Sequence, residues 1–246
     1  MSLIRSYIIH LPCSTGRHAL VAALREQLPL AEIVDAVDGR ALSGPERAHA
    51  YVGSRYRPPY PFALTAGEIG AFLSHRRCWQ NIASGDADFG LVAEDDVALD
   101  TLQFGRALTL ALRHATPESL VRFPLQDREV PYRILTTDGA IRLFQPRVVG
   151  LSTALQIVGR NLAARLLELT APFDRPVDTF LQMRWVTGAN VLSVFPNGAR
   201  SAADAAGGST IQTKLPVRQQ FYRSWARTRY RASVMRLAKA DQPQES

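Results

Sequence analysis

Cysteine is scarce in this 246-residue chain, which contains only Cys13 and Cys78. Two widely separated cysteines provide neither the paired-ligand spacing of a zinc site nor the framework of bridges that stabilises small secreted domains. The composition therefore argues against both, and a reducing compartment is the simplest expectation.

Long hydrophobic runs are also missing. No window approaches the roughly 20 apolar residues that a membrane-spanning helix needs. The opening segment MSLIRSYIIHLP has a short apolar patch that His10 and Pro12 close early, and it lacks the cleavage pattern of a signal peptide. We therefore expect a first strand there, in a globular protein with 46% hydrophobic and 21% charged residues.

Acidic residues are absent between Asp204 and Asp241, although the chain as a whole contains 22 of them. Cationic side chains recur throughout this acid-free stretch: Lys214, Arg218, Arg223, Arg227, Arg229, Arg231, Arg236 and Lys239. The formal net charge of the chain is +7. Such a balance favours anionic partners without choosing among nucleic acid, phospholipid and nucleotide.

Within the same stretch, apolar residues from Tyr222 to Leu237 form a stripe at helical spacing, which predicts a helix over 218–239. We therefore divide the chain into a domain over 1–215 and a basic helical tail over 216–246. The tail is compatible with binding to an anionic membrane surface, or with docking of its stripe on the domain. Nucleic-acid binding ranks last and is not expected, because no nucleic-acid fold motif is recognisable.

The N-terminal region predicts a strand over 6–11, a helix over 15–28 and a second strand over 31–37. A strand, a helix and a strand within about forty residues form a βαβ unit, which favours an α/β fold. Residues 44–62 are rich in proline, tyrosine and arginine, and we expect a loop there. Residues 126–144 suggest a hairpin or an insertion.

The most informative stretch runs from Leu64 to Leu99. Thr65 and Glu68 have the spacing of a capping box, and the apolar residues that follow recur at helical intervals as far as Ile82. A short apolar run, FGLVA, then reads as a buried strand. The acids Glu94, Asp95 and Asp96 follow this strand directly.

Ligands in open α/β sheets bind at the carboxyl ends of the strands, where these three acids are expected. Because side chains alternate along an extended segment, Glu94 and Asp96 should project to one side and Asp95 to the other. Two carboxylates with open coordination positions suit Mn²⁺ or Mg²⁺ that also holds a diphosphate. The alternative is that the acids are solvated turn residues, or a cap for a helix near Asp100.

The run GEIGAFLSHRRCWQ, followed by LVAEDDVAL, resembles the signature of glycosyltransferase family 25, whose members build lipooligosaccharides. Weaker similarity extends from about Tyr7 to Ile211. The resemblance implies a GT-A-like α/β fold with a mixed, mostly parallel central sheet flanked by helices. It also implies transfer of a hexose, galactose or glucose, from a UDP-sugar to a lipid-linked lipopolysaccharide or lipooligosaccharide core, with inversion at the anomeric carbon.

The resemblance also assigns residues. Leu11, Arg17 and Asp38 match the motifs INLxRxxDR and VDG, whereas His10, Cys13 and Gly16 depart from the first of them. Arg17 would contact donor phosphate; the alternative is a solvated charge on the first helical turn. Asp38 would bind the base or ribose; the alternative is an Asp-Gly turn without a ligand. Further donor contacts are expected from these residues: Thr65, Glu68, Asp95 and Ser209.

The catalytic assignments are His75 and Asp178, with Glu94 and Asp96 as the metal ligands. His75 occupies the L-S-H position of the family and would contact the donor or the acids; otherwise it is a packing histidine. Asp178 lies in a segment that resembles the family motif P-x-D-x-x-L, and it is the first choice for the general base. Asp174 is the alternative base. The acceptor implies a location in the cytoplasm, peripheral on the cytoplasmic face of the inner membrane.

Two other functions are compatible with the sequence. One is a different nucleotide-dependent transferase, such as a nucleotidyltransferase, which would release pyrophosphate. The other is a non-catalytic module that binds glycan or anionic lipid and descends from such a transferase.

Overall fold

The computed structural model describes residues 3–202 and 217–242. Its strands are β1 Ile4–His10, β2 Ala31–Asp35, β3 Phe89–Glu94, β4 Val97–Leu99, β5 Ser119–Arg122, β6 Pro131–Asp138, β7 Ile141–Pro146, β8 Leu155–Gly159, β9 Asn190–Phe195 and β10 Ala199–Ser201. Its α-helices are α1 His18–Gln27, α2 Gly44–Ala50, α3 Ala66–Ser84, α4 Thr101–Leu112, α5 Arg160–Leu169, α6 Val177–Leu181, α7 Arg184–Thr187 and α8 Val217–Ala240. No described helix has both the length and the apolar character needed to cross a membrane.

An eight-stranded sheet in the order β2-β1-β3-β8-β5-β9-β7-β6 organises the described residues. The pairs β2–β1, β1–β3 and β5–β9 are parallel, whereas β8 and β7 run against their neighbours. Most strands therefore run in one direction. This arrangement confirms the predicted α/β class and the mixed central sheet flanked by helices.

Helices cover both faces of the sheet because its central strands are apolar on both sides. Ile8 of β1 joins a core with α1 and α4, while its neighbours Tyr7 and Ile9 join a second core with α3, α5 and α6. Phe72 of α3 stacks on Phe173 in that second core, with ring centroids 3.9 Å apart. The packing leaves the carboxyl ends of β1 and β3 together at one edge.

The prediction of a loop over 44–62 is wrong for the first part of this segment, because α2 occupies Gly44–Ala50. Ser43 and Glu46 form a capping box: Glu46 N–H donates to the Ser43 hydroxyl at 3.4 Å, and Ser43 N–H donates to the Glu46 carboxylate at 2.8 Å. Proline lies in the first turn, where its missing N–H costs nothing. The hairpin expected over 126–144 is present as β6 and β7.

Helix α8 packs on the domain through four residues spaced four apart, Ala226, Tyr230, Val234 and Ala238, all of which are buried. Arg184 of α7 anchors the end of the helix by donating to the Ala238 carbonyl at 2.9 Å. Docking, one of the uses expected for the tail, is therefore part of this fold. The arginines beside the stripe remain exposed.

Candidate active site

Strand β3 delivers the acidic residues to the sheet edge, but only Glu94 is part of the strand. Asp95 and Asp96 form the turn into β4, so strand alternation does not set their directions. The main chain of this turn is held by Ala202, whose N–H donates to the Asp96 carbonyl at 2.7 Å. The three carboxylates consequently have three different environments.

Asp95 is buried and doubly bound. His10 Nδ1 lies 2.7 Å from Asp95 Oδ2, and the Arg17 guanidinium donates to Asp95 Oδ1. Burial opposes the charge of Arg17, but the hydrogen bond and the charge of Asp95 raise the pKa of that guanidinium above its usual value. Arg17 therefore stays cationic and fixed at the edge, with its Nη2 3.8 Å from Asp96 Oδ2.

Glu94 is held by two side chains on the α3 face of the sheet. The Thr153 hydroxyl donates to Glu94 Oε1 at 2.6 Å, and His75 Nε2 lies 3.4 Å from the same oxygen. Burial alone would raise the pKa of Glu94, but the contacts with His75, Thr153 and Arg17 together lower it. Glu94 is thus kept ionised, and His75 Nδ1 is buried without a hydrogen-bond partner among the described residues.

Asp96 is the carboxylate with the fewest constraints. Its pKa is raised, first by burial and then by the negative charge of Glu94. A bound cation would relieve that repulsion, and Mg²⁺ commonly uses one or two carboxylates together with substrate phosphates and water. The residues therefore fit a cation held by Asp96 next to Glu94, although no ready-made group of three metal-ligating side chains occurs in the described residues.

The VDG turn packs directly on the start of α3. A Cβ on Gly39 would lie 1.8 Å from the Ala66 carbonyl oxygen, so only glycine allows this contact. Asp38, beside it, accepts from Arg40 N–H at 2.9 Å and is exposed. The predicted capping box is confirmed: Glu68 Oε2 accepts from Thr65 N–H at 2.7 Å, which leaves both side chains occupied with the helix start.

Leu11, Asp178 and Ser209 are the remaining candidates. Leu11 is in the turn after β1, where its carbonyl accepts from Ser14 N–H at 2.8 Å. Asp178, in the first turn of α6, accepts from Thr179 N–H at 2.6 Å. Within 3–202 and 217–242, no hydrogen bond or ion pair joins Asp178 to the three acids. Ser209 lies outside the described residues.

Asp174 is fully buried, which makes it a poor candidate for a base. Arg175 Nε donates to its Oδ1 at 2.7 Å, and Arg55 and Tyr56 donate backbone N–H groups to its Oδ2 at 2.7 and 2.8 Å. A base must have a free oxygen that the substrate can reach. Asp174 instead ties the segment after α2 to α6.

A cleft of about 860 Å³ lies beside the acidic edge. Its lining includes Ser152 and Ser201. Ser152 precedes Thr153, which donates to Glu94, and Ser201 precedes Ala202, whose N–H donates to the Asp96 carbonyl. Thr179, next to Asp178, lines it as well. The lining therefore includes sequence neighbours of the candidate base and of the residues that bond Glu94 and Asp96, and the volume leaves room for a saccharide.

A sequence model of the family described as "Glycosyltransferase family 25 (LPS biosynthesis protein)" matches residues 3–130, more than half of the chain. The matched segment contains the Arg17 turn, the VDG turn, α3 and all three acids. The chain belongs to glycosyltransferase family 25.

Relatives of this chain differ in the activity that their names describe. Procollagen galactosyltransferase 2 of Mus musculus is 39% identical over 95 residues, which cover 37% of this chain and 15% of the relative. The inactive glycosyltransferase 25 family member 3 of the same species is 37% identical over 95 residues, 37% of this chain and 16% of that protein. A glycosyltransferase 25 family member of Drosophila melanogaster is 28% identical over 197 residues, 74% of this chain and 31% of that protein.

The match thus spans less than one third of these family 25 relatives. Among solved structures, mannose-1-phosphate geranyltransferase of Thermus thermophilus is similar over 78% of this chain and 73% of its own, with 12% identity and a TM-score of 0.32.

Two side chains at this family 25 site were not among the residues expected from the sequence. His10 departs from the family motif, yet it bonds Asp95. The parallel register of β1 and β3, which pairs Ile9 with Glu94, aligns His10 with Asp95. Thr153 gave no signal of its own, because its contact with Glu94 depends on β8 pairing next to β3.

Proposed function

We propose that this family 25 chain is an inverting glycosyltransferase. It moves a hexose, galactose or glucose, from a UDP-sugar to a lipopolysaccharide or lipooligosaccharide core saccharide. The observation that carries the proposal is the joint position of Arg17 and the three acids at the carboxyl ends of β1 and β3. A cleft large enough for an acceptor opens beside that edge.

The donor diphosphate binds at the Arg17 side of the site. Arg17 keeps its charge there and is 30% exposed, so part of the guanidinium can contact phosphate. Asp96, with Glu94 next to it, would hold Mn²⁺ or Mg²⁺. Such a cation would stabilise the negative charge on the departing nucleoside diphosphate. His75 keeps Glu94 oriented and charged through the contact at 3.4 Å.

The acceptor enters through the cleft. Its hydroxyl oxygen forms a bond to the anomeric carbon of the donor while the bond from that carbon to the diphosphate oxygen breaks, and the hydroxyl proton passes to a carboxylate. We assign that base to Asp178, in the first turn of α6. A single displacement of this kind inverts the anomeric carbon and needs no protein nucleophile.

The lipid-linked acceptor would bring the protein to the cytoplasmic face of the inner membrane as a peripheral enzyme. Support for this location comes from the charge of α8, whose exposed side carries Arg229 and Arg236. Exposed Trp225 on the same helix could enter a lipid interface. In this arrangement the buried face of α8, from Ala226 to Ala238, stays packed on the domain.

One alternative is favoured by a specific finding. Because relatives of this chain include proteins named inactive, a glycan- or lipid-binding module without transfer activity has to be tested. Such a module would bind its ligand but leave a UDP-sugar intact with any divalent cation. A nucleotidyltransferase would instead release pyrophosphate.

Calorimetric titration of UDP, with and without Mn²⁺, tests the donor site directly. Wild type should bind only in the presence of the cation, and Asp96→Ala should lower the affinity at least tenfold. Asp86→Ala is the matched control, because it removes an exposed aspartate at the opposite end of β3. It should bind UDP as wild type does.

Turnover is tested by adding UDP-galactose or UDP-glucose with Mn²⁺ and measuring release of UDP, phosphate and pyrophosphate. The transferase is supported if wild type releases UDP and Asp178→Asn does not, while Asp178→Asn still binds UDP as tightly as wild type. If wild type ignores UDP under both conditions, or if Asp96→Ala binds it normally, the donor-site assignment is wrong. Binding without any turnover would favour the non-catalytic module.

A further inference from the structure

The cleft beside the acids is cationic. Apart from Arg122 and Glu129 on its floor, its charged lining consists of Arg128, Arg227 and Arg231. The three are exposed, and none has an ion-pair partner among residues 3–202 and 217–242. An excess of charge of one sign in a cleft concentrates ligands of the opposite sign.

The floor of the cleft does not cancel this charge. Arg122 Nε donates to Glu129 Oε1 at 3.0 Å, and Glu129 also accepts from Gly150 N–H at 2.8 Å and from the Ser193 hydroxyl. The carboxylate of Glu129 is therefore fully engaged and paired within the floor. Arg122 is only 3% exposed, and its Nη1 has no hydrogen-bond partner in the part of the chain that the structure describes.

Helix α8 supplies the cationic wall. Arg227 and Arg231 are one turn apart and therefore lie on the same side of the helix. Between them, Tyr230 is fixed by Arg175 Nη1, which donates to its hydroxyl at 2.9 Å. The wall is consequently positioned by the buried core of the domain, although it belongs to the basic tail.

Aromatic side chains form the adjoining wall. Tyr60 contacts Tyr230 edge-to-face with ring centroids 5.5 Å apart. The Arg227 Cζ atom lies over the Phe62 ring, 5.9 Å from its centroid. Aromatic rings provide flat apolar surface against which a sugar ring can pack, and a few placed polar groups then fix its orientation. The combination fits a saccharide that carries a negative charge.

We propose that the acceptor of this enzyme is an anionic saccharide, bearing a phosphate or a carboxylate, and that Arg227 and Arg231 of α8 bind its charged group together with Arg128. The inference rests on the proposed transferase function, because it treats the cleft as the acceptor site. It makes α8 a substrate-binding element as well as a docked helix.

The test is a ligand-observed NMR titration of the whole chain with glucose 6-phosphate, glucuronate and uncharged glucose. Wild type should bind at least one charged sugar about tenfold more tightly than glucose, with an affinity that falls as salt is added. The double variant Arg227→Gln/Arg231→Gln should lose about tenfold in that affinity. Comparison of the two charged probes distinguishes a phosphate from a carboxylate.

The matched control is Arg229→Gln/Arg236→Gln, which removes the same charge from the side of α8 away from the cleft. It should bind the charged sugar within twofold of wild type. Equal losses in both double variants would overturn the proposal, because net charge alone would then explain binding. Equal binding of charged and uncharged sugars, or binding of neither, would also overturn it.

Vesicles containing phosphatidylglycerol separate the saccharide from a lipid headgroup. If the cleft variant loses vesicle binding and keeps charged-sugar binding, the arginines serve a membrane and the proposal is wrong. UDP titration of the same variants should match wild type in every case. Failure of charged-sugar binding with intact UDP binding would therefore reject only the acceptor inference, whereas loss of UDP binding by wild type would reject the transferase itself.

Discussion

The ion pair between Asp174 and Arg175 is the part of this fold whose loss has the best-defined cost. Both side chains are 0% exposed, and Arg175 Nε lies 2.7 Å from Asp174 Oδ1. Asp174→Asn keeps the volume but leaves the Arg175 cation buried without an anion. Breaking a buried pair in this way costs roughly 3–5 kcal/mol of unfolding free energy.

In a domain of this size, 1 kcal/mol corresponds to roughly 2–4 °C in Tm, so the variant should melt about 6–20 °C below wild type. Differential scanning calorimetry at pH 7 measures the shift. The matched control is Asp138→Asn, which breaks an ion pair with Arg106 whose side chains are 45% and 51% exposed. That loss should be below about 1 kcal/mol.

The pH dependence provides a second check. Burial would raise the pKa of Asp174, but Arg175 and the N–H groups of Tyr56 and Arg55 lower it below the usual range. A carboxyl with a depressed folded pKa stabilises the protein above its unfolded value and loses that contribution as pH falls through the folded pKa. The difference between wild type and Asp174→Asn should therefore shrink in acid. A cost at pH 7 that is no greater than that of Asp138→Asn would refute the reasoning.

Two further changes test the site and its support. Asp96→Asn should stabilise the ligand-free protein at pH 7, because the raised pKa of Asp96 reflects burial and repulsion by Glu94. The extra unfolding free energy of the variant, measured by calorimetry, should vanish below the unfolded pKa of about 3.9 and grow as pH rises. A variant less stable than wild type at pH 7 would contradict this reasoning. Gly39→Ala should lose about 1–3 kcal/mol in urea unfolding, because its Cβ would meet the Ala66 carbonyl at 1.8 Å. Gly44→Ala, whose Cβ meets nothing within 4 Å, is the control, and equal effects would rule out the close packing of the VDG turn.

Local signals in the sequence predicted local structure well. The capping box of Thr65 and Glu68 marked the start of α3, and the apolar run before Glu94 marked β3. The same signature at Ser43 and Glu46 marks α2, whereas the prolines over 57–61 favour a loop for the rest of 44–62. A capping box is therefore informative even next to a segment that cannot be regular.

Contacts between distant segments could not be predicted in the same way. His10 and Asp95 are brought together by the register of two strands, and Thr153 reaches Glu94 only because β8 lies beside β3. The cleft combines residues as far apart in sequence as Tyr60 and Met235. Such contacts depend on strand order, which neither periodicity nor composition encodes.

The strand order also restricts how the chain can be divided. The family match ends at residue 130, but β8, formed by residues 155–159, lies between β3 and β5 in the sheet. A fragment restricted to 3–130 would leave facing edges of β3 and β5 unpaired, and such edges promote aggregation. During synthesis, the two halves of the sheet likewise cannot join until β8 has left the ribosome. The most recognisable half of this protein is therefore not a folding unit on its own.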